Sequence, residues 1–143
     1  METAAVNPRH HVVRTSWLFG TAGRNFVETM LALGAARDEL KVVNDQVGSP
    51  TYTAHLAEGI VRLPASDSYG LHHMSAAGEC SWYDFAVAIF HRAGIECAVV
   101  PATTEELGRP APRPRYSVLA TRREDAVHLP DWQTGLENYM EER

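Results

Sequence analysis

The sequence has few of the features that would place a protein in a membrane, outside the cell or on a nucleic acid. Only two cysteines occur, Cys80 and Cys97, and they form neither a CxxC pair nor a disulfide framework. No apolar run is long enough to span a bilayer, and the first residues do not form a signal peptide. The formal net charge of −5 argues against a broad basic surface for nucleic acid. We therefore expect a cytoplasmic protein without nucleic-acid or membrane partners.

What the sequence does contain fits one globular domain, because 143 residues with 45% hydrophobic content can bury a core. Helical and strand-like segments alternate along the chain, which predicts an α/β layered fold. The predicted strands are 11–19, 41–44, 69–75 and 97–100. The predicted helices are 25–37, one that follows the turn 48–51 and ends at Pro64, one between Ser81 and Gly94, and one from Asp131 onward.

Apolar residues at helical spacing predict which side chains face the core. Ser81 is expected to cap the third helix with Asp84 three residues on, and Gly94 is placed to end that helix. The predicted buried stripes are Phe26, Met30 and Leu33; Leu56, Ile60 and Leu63; Trp82, Phe85, Ile89 and Ala93; and Trp132, Leu136 and Tyr139.

Two segments are predicted to be irregular. Residues 103–107 resemble a single capped helical turn. Residues 109–115 contain three prolines, which exclude a helix interior and predict an extended backbone. This stretch is expected to expose three arginines on a stiff chain.

The opening strand is apolar at nearly every position, which is typical of a parallel sheet covered on both faces. Yet it begins close to residue 1, so little sequence precedes it to supply neighbouring strands. Later strands and helices could cover it, or the chain could be the second part of a larger fold. We favour the second interpretation, since an apolar strand with free edges promotes aggregation.

Four segments in register carry a resemblance to a known family. Together they resemble dTDP-4-dehydrorhamnose reductase, an extended short-chain dehydrogenase/reductase. The resemblance extends from about Val12 to Tyr139. The segments are Arg14-Thr-Ser-Trp-Leu-Phe-Gly20 with residues 23–27, residues 43–51, residues 70–75 with Gly78, Ser81 and Trp82, and residues 109–119.

The resemblance implies that residues 1–143 are a C-terminal, sugar-nucleotide-binding portion. Its fold would be the last strands of a Rossmann-like sheet plus the small α/β substrate-binding domain. Members of the family reduce dTDP-4-dehydro-L-rhamnose to dTDP-L-rhamnose with NADPH or NADH. Their N-terminal Rossmann domain holds the cofactor at a Gly-rich turn, and a Tyr-x-x-x-Lys pair with a Ser or Thr transfers the proton.

This sequence departs from that pattern, because it has no Gly-x-x-Gly-x-x-Gly turn and no Tyr-x-x-x-Lys pair. We therefore expect that the N-terminal NAD(P)-binding domain is absent, that the chain binds no cofactor alone and that it is inactive by itself. A separate Rossmann portion or a homo-oligomer is the expected protein partner, and a dTDP-sugar is the expected ligand.

Six residues are candidate substrate contacts. The resemblance implies that Trp17 contacts the sugar nucleotide, and an indole offers a flat apolar wall and one N–H. Asn25 and Phe26 open a helix whose free N–H groups suit a diphosphate, although Asn25 could simply be an N-cap. The remaining candidates are Gln46 and Thr51, which bracket a turn that could be merely structural, and Arg113, which could bind phosphate or form a solvated loop.

Alternative functions stay open at this point. The chain could be a regulatory module derived from the family, as in the branch that serves as the regulatory subunit of methionine adenosyltransferase. It could also be the same portion of another NDP-sugar reductase or epimerase. Trp17 and residues 46–51 favour a sugar nucleotide, and the Pro/Arg segment favours rhamnose. A metal site is not expected, since the paired histidines at 10–11 and 72–73 do not converge.

Overall fold

A computed structural model describes residues 5–108 and 111–143. Within these ranges the chain forms eight short strands and four helices. The strands are β1 (His11–Arg14), β2 (Leu18–Phe19), β3 (Glu39–Val43), β4 (Val47–Gly48), β5 (Thr51–Tyr52), β6 (Gly70–His73), β7 (Cys80–Ser81) and β8 (Ala98–Ala102). The helices are α1 (Phe26–Gly34), α2 (Thr53–Arg62), α3 (Trp82–Ala93) and α4 (Trp132–Glu142).

The strands pair two by two, and three of the four pairs in the described residues are parallel. β1 pairs with β6, β2 with β5 and β3 with β8, and at least one helix lies between the two strands of the first and third pairs. Parallel strands require such crossover connections, so the predicted α/β arrangement is confirmed. The fourth pair, β4 with β7, is antiparallel.

The single opening strand predicted over 11–19 is wrong, because the chain bends between β1 and β2. Trp17 has a φ of 50°, in the left-handed region that costs a non-glycine residue about 1 kcal/mol. The bend transfers the chain from one partner strand to another: Arg14 pairs with His73, whereas Leu18 pairs with Thr51. Apolar composition predicts a strand on both sides of Trp17 but does not report this change of partner.

The first helix ends at Gly34, three residues before the predicted end. Gly34 lies against Phe90 of α3, where an added Cβ would stand 2.7 Å from the ring. Beyond it, residues 35–37 are exposed and have no packing surface to hold them in the helix. Helical propensity alone is a weak determinant, so the helix stops where its tertiary contacts stop.

The predicted cap and end of α3 are confirmed, and so is the predicted helix start near Asp131. Ser81 and Asp84 form a reciprocal capping box at α3, and Gly94 ends that helix in the left-handed conformation. The Asp131 side chain accepts a hydrogen bond from the Thr134 N–H at the start of α4. These interactions are local in sequence, which is why the sequence alone could reveal them.

The main core contains most of the predicted stripe residues, but Ile60 is an exception. Ile60 is 41% exposed, and Gly59 faces the interior instead. An added Cβ on Gly59 would stand 2.8 Å from both Leu129 and Met74, so helix α2 packs closely at this point. The stripe of α2 is therefore centred on a glycine, which apolar periodicity does not count. The buried stripe residues of the other helices include Met30, Phe85, Ile89, Trp132, Leu136 and Tyr139.

Candidate functional site

Two neighbouring cavities share one wall, formed by Gln46, Trp82 and Arg113; we call these three residues the shared wall. The first cavity, about 420 Å³, is lined by α1 and β3 and is mainly apolar. The second, about 390 Å³, lies beside the segment after β1. Phe26, Met30, Leu33, Leu40 and Val42 are among the residues that line the first cavity, whereas Ser16, Trp17 and Ser117 line the second.

Trp17 is held rigidly at the edge of the second cavity. Its indole stacks on Trp82 with a ring separation of 3.6 Å and an interplanar angle of 4°. Gly48 approaches the indole so closely that any added Cβ would overlap it. The indole N–H donates to Ser117 Oγ over 3.1 Å, so a substrate oxygen would have to replace that bond. Trp17 therefore forms a fixed aromatic wall.

Gln46 lies almost fully inside the protein, with 4% of its surface exposed. Its side-chain amide group bonds to Thr104 Oγ1 over 2.8 Å. Thr104 in turn donates both its backbone N–H and its hydroxyl to Asp45 Oδ1, over 2.9 and 2.7 Å. The Thr104 hydroxyl bond is the main reason that the pKa of Asp45 lies below its ordinary value. Asp45 thus holds Thr104 in place within the loop.

The Pro/Arg segment is not helical where the structure describes it, as its prolines predicted. It runs beside β4, with the Val47 N–H donating to Arg115 O over 2.8 Å and the Ser117 N–H donating to Val47 O over 2.9 Å. This anchoring holds Arg113 at the shared wall with an exposed side chain. Arg115 is also exposed, and Arg109 lies outside the described residues.

Asn25 and Thr51 do not line either cavity. Asn25 is the N-cap of α1, where its side chain accepts from the Glu28 N–H over 3.1 Å and donates to Gly20 O over 2.8 Å. Thr51 is fully buried, and its hydroxyl bonds to Ser49 O and to the Ala76 N–H. Both side chains thus have structural partners, and their contact with substrate stays a prediction. The structure brings together the other four candidates, Trp17, Phe26, Gln46 and Arg113.

Trp82 was assigned to the core by its helical spacing, and it does pack against the main core, but it also lines both cavities. It is only half-buried, and it separates the two cavities while stacking on Trp17 and packing against Phe26 at 4.5 Å. Trp82 is the first residue of α3, where the helix emerges from the core. Sequence reasoning also missed Ser16, Thr104 and Ser117, because single hydroxyl residues in loops give no pattern that points to a site.

The helix starts in the described residues are occupied by side chains of the chain itself. Asn25, Ser81 and Asp131 cap α1, α3 and α4 with their own side chains. The remaining helix, α2, starts at Thr53, whose side chain lies where a Cβ on Gly20 would be. A pyrophosphate cradle needs free N–H groups at a glycine-rich helix start. In the described ranges, moreover, no group of three or more His, Cys, Asp or Glu side chains is placed to hold a metal.

Membrane insertion finds no support in the described ranges, where every helix is too short or too polar to cross a bilayer. Cys80 and Cys97 are both free and buried. Burial is the main reason that the pKa of the Cys80 thiol is raised to about 12, so this thiol is protonated and unreactive.

Comparison with known proteins identifies the family of the chain. The family model described as RmlD substrate binding domain matches residues 1–143. The spore coat polysaccharide biosynthesis protein SpsK of Bacillus subtilis (strain 168) is 48% identical over 134 residues, which cover 92% of this chain and 47% of SpsK. The dTDP-4-dehydrorhamnose reductase of Escherichia coli (strain K12) is 39% identical over 150 residues, which cover 94% of this chain and 50% of that enzyme.

A solved structure gives the same result. The dTDP-4-dehydrorhamnose reductase of Bacillus anthracis, determined in complex with NADP, superposes with a TM-score of 0.88 at 45% identity. The superposition covers 93% of this chain and 48% of that enzyme. The chain therefore spans about half the length of the relatives it matches. It belongs to the RmlD substrate binding domain family and has the predicted α/β fold of an extended short-chain dehydrogenase/reductase.

Proposed function

We propose that this chain is the sugar-nucleotide-binding portion of a reductase that converts dTDP-4-dehydro-L-rhamnose to dTDP-L-rhamnose with NADPH or NADH. The observation that carries the proposal is the convergence of Trp17, Gln46 and Arg113 on two adjoining cavities. These residues come from three separate loops, so the fold is required to bring them together. Relatives with this family's domain include enzymes named for that reduction.

The two cavities suit the two ends of a nucleotide sugar. The first has apolar and aromatic walls that would accept a flat base. The second has the hydroxyls of Ser16 and Ser117 beside the Trp17 ring, a combination that suits a deoxysugar. Arg113 lies between them, where a guanidinium would bind the diphosphate through two parallel hydrogen bonds. In this arrangement Trp17 and Trp82 orient the sugar and exclude water from one side of it.

Hydride and proton transfer would be supplied by polypeptide outside this sequence, because the chain has neither a Gly-rich turn nor a Tyr-x-x-x-Lys pair. We therefore propose that residues 1–143 are inactive alone, in a cytoplasmic setting consistent with two free cysteines. The role of the present residues is to bind and orient the substrate for a Rossmann portion. That portion, or a homo-oligomer, is the proposed protein partner.

One surface supports this partner proposal, and we call it the open face: strands β1 and β6, including Leu71. The two strands form a sheet with no third strand among the described residues. Leu71 on β6 is 37% exposed, so an apolar side chain faces solvent on a sheet of only two strands. Three buried polar atoms without a partner in the described residues lie on or next to these strands: His11 Nδ1, Thr15 Oγ1 and His73 Nε2.

Isothermal titration of the full chain with dTDP-L-rhamnose tests the proposal. We expect weak binding, no oxidation of NADPH with the keto-sugar nucleotide, and loss of most of the binding in Trp17→Ala. Val87→Ala is the matched control, since Val87 is exposed on α3 and lines neither cavity. No heat at millimolar ligand would contradict nucleotide binding, and NADPH oxidation by the chain alone would contradict its inactivity.

Reconstitution separates the reductase from the regulatory alternative. Co-expression with a Rossmann portion from a related reductase is expected to increase solubility and to give NADPH oxidation with the keto-sugar nucleotide. If the chain binds the nucleotide sugar but never supports reduction, a regulatory module of the same family becomes the better explanation.

A further inference from the structure

The side chain of Gln46 could present either its carbonyl oxygen or its NH₂ group at the shared wall. A glutamine amide has an acceptor end and a donor end of nearly equal size, and only its hydrogen-bond partners decide which end points where. Gln46 is buried and lines both cavities, so the end that faces them determines which ligand group can bind there.

The partners of Gln46 fix this choice in three steps. The ionised Asp45 carboxylate can only accept hydrogen bonds, and its Oδ1 receives both the backbone N–H and the hydroxyl proton of Thr104. The hydroxyl has a single proton, so Thr104 Oγ1 can only accept toward Gln46. The Gln46 group nearest Thr104 must therefore be the NH₂, which donates to Oγ1 over 2.8 Å.

The remaining atom, Gln46 Oε1, then points away from Thr104. None of the hydrogen bonds within residues 5–108 and 111–143 uses this oxygen. It is also not among the described side-chain atoms that are both fully buried and unpartnered, so it keeps some accessible surface in a residue that lines both cavities. A nearly buried amide with one end committed and the other free is suited to bind a ligand group.

We propose that Asp45 and Thr104 are positioning residues that hold the acceptor end of Gln46 toward the ligand, so that the site selects an N–H or O–H donor there. The identity of the donor rests on the proposed function. In a thymidine diphosphate sugar it is either the imide N–H of the base, from the first cavity, or a sugar hydroxyl, from the second. Both groups would donate a hydrogen bond to Oε1, and ligands that lack one of the two donors distinguish between them.

Titration of the full chain with three nucleotides tests the proposal. The probes are dTDP, N3-methyl-dTDP and dTDP-L-rhamnose, and the variants are Thr104→Val, which removes the hydroxyl, and Thr104→Ser, which restores it. We call the hydrogen bonds that run from Asp45 through Thr104 to Gln46 the relay. Without the relay the Gln46 side chain must become ordered during binding. We therefore expect Thr104→Val to bind about three- to tenfold more weakly and Thr104→Ser to recover the affinity. Thr103→Val is the matched control, because Thr103 caps the same turn through Glu106 and does not contact Gln46.

The pattern of losses identifies the donor. If it is the imide, N3-methyl-dTDP binds the unmodified chain weakly and Thr104→Val weakens it no further. If it is a sugar hydroxyl, Thr104→Val affects dTDP-L-rhamnose and leaves dTDP unchanged. A folded Thr104→Val chain with undiminished affinity for all three nucleotides would overturn the proposal.

If no nucleotide binds, that result contradicts the proposed function but not the relay. The relay can then be tested by a measurement without ligand. In ¹⁵N-labelled chain, the Gln46 side-chain amide protons should show nuclear Overhauser effects to the Thr104 methyl group. Asp45→Asn should keep them, since its Oδ1 can still accept both Thr104 bonds. Should Thr104→Val fail to fold, Asp45→Ala provides the same break. Amide-proton contacts to the Trp82 ring instead of Thr104 would refute the relay.

Discussion

The cavity side, by which we mean the residues that line the two cavities, differs from the open face in how many of its side chains have packing or hydrogen-bond partners within the chain. Around the cavities, Trp17 is bonded to Ser117 and stacked on Trp82, and the Asp45 carboxylate and Gln46 amide both have partners. On the open face, Leu71 is exposed, and polar atoms of His11 and His73 are buried without partners in the described chain. The difference supports the two proposals made above, that residues of this chain bind the nucleotide sugar and that the open face packs against another polypeptide.

The largest expected effect is on the free energy of unfolding, and it distinguishes the main core from the open face. Leu136 is fully buried in the main core, so Leu136→Ala should lower the free energy of unfolding by about 2–5 kcal/mol. Leu71→Ala removes a partly exposed side chain and should cost less than about 0.5 kcal/mol in the isolated chain. Urea denaturation of both variants measures the contrast. Equal losses would show that the open face is already part of a packed core.

Gly48→Ala should give the next largest effect, because the new Cβ would overlap the Trp17 indole. Overpacking of this kind costs about 1–3 kcal/mol, and here it should also weaken nucleotide binding by displacing Trp17. Gly23→Ala is the control: its Cβ would meet nothing within 4 Å, although a φ of 79° still strains the backbone. Near-equal ligand affinity in Gly48→Ala and the unmodified chain would contradict a fixed indole wall.

The cap of α3 should matter less. Ser81→Ala removes the side-chain acceptor of the capping box and should cost about 1 kcal/mol in thermal or urea unfolding. Ser66→Ala, just beyond the end of α2, loses a hydrogen bond to Leu63 O and a longer one from the Ser68 N–H, and serves as the comparison. We expect its loss to be the smaller of the two, and the reverse order would mean that the α2 end is more tightly built than the cavity side.

The smallest effect concerns pH. Because the folded pKa of Asp45 is depressed, its stabilisation is present above the unfolded value near 3.9 and is lost as pH falls through the lower folded value. The Thr104 amide resonance should therefore titrate below the pH at which an ordinary aspartate titrates. Asp45→Asn should abolish that titration. A midpoint at or above the ordinary value would contradict the hydrogen bonds from Thr104.

Local sequence signals predicted the parts of the fold that depend on neighbouring residues. The cap at Ser81, the helix start at Asp131 and the helix end at Gly94 follow from interactions within a few residues. The error at Ile60 has a different origin, since Gly59 packs inward on Met74 and Leu129, and periodicity does not register a glycine.

The site could be predicted only in part, because its geometry is set by contacts between distant segments. Trp17, Phe26, Gln46 and Arg113 were named from sequence and do line the cavities. The left-handed backbone of Trp17 and the cavity position of Trp82 depend on strand pairing and helix packing far along the chain. No spacing rule connects Thr104 with Gln46, which are 58 residues apart.

The bend at Trp17 joins the two sides of the molecule by three residues of backbone. Strand β1 ends at Arg14 on the open face, and the indole begins the ligand wall just beyond it. A polypeptide that docks along β1 and a nucleotide sugar that packs on Trp17 would thus each restrict the same short segment. By thermodynamic linkage, if the docked polypeptide raises the affinity for substrate by some factor, substrate raises the affinity for that polypeptide by the same factor. Substrate would therefore stabilise the assembled reductase as much as assembly stabilises the bound substrate.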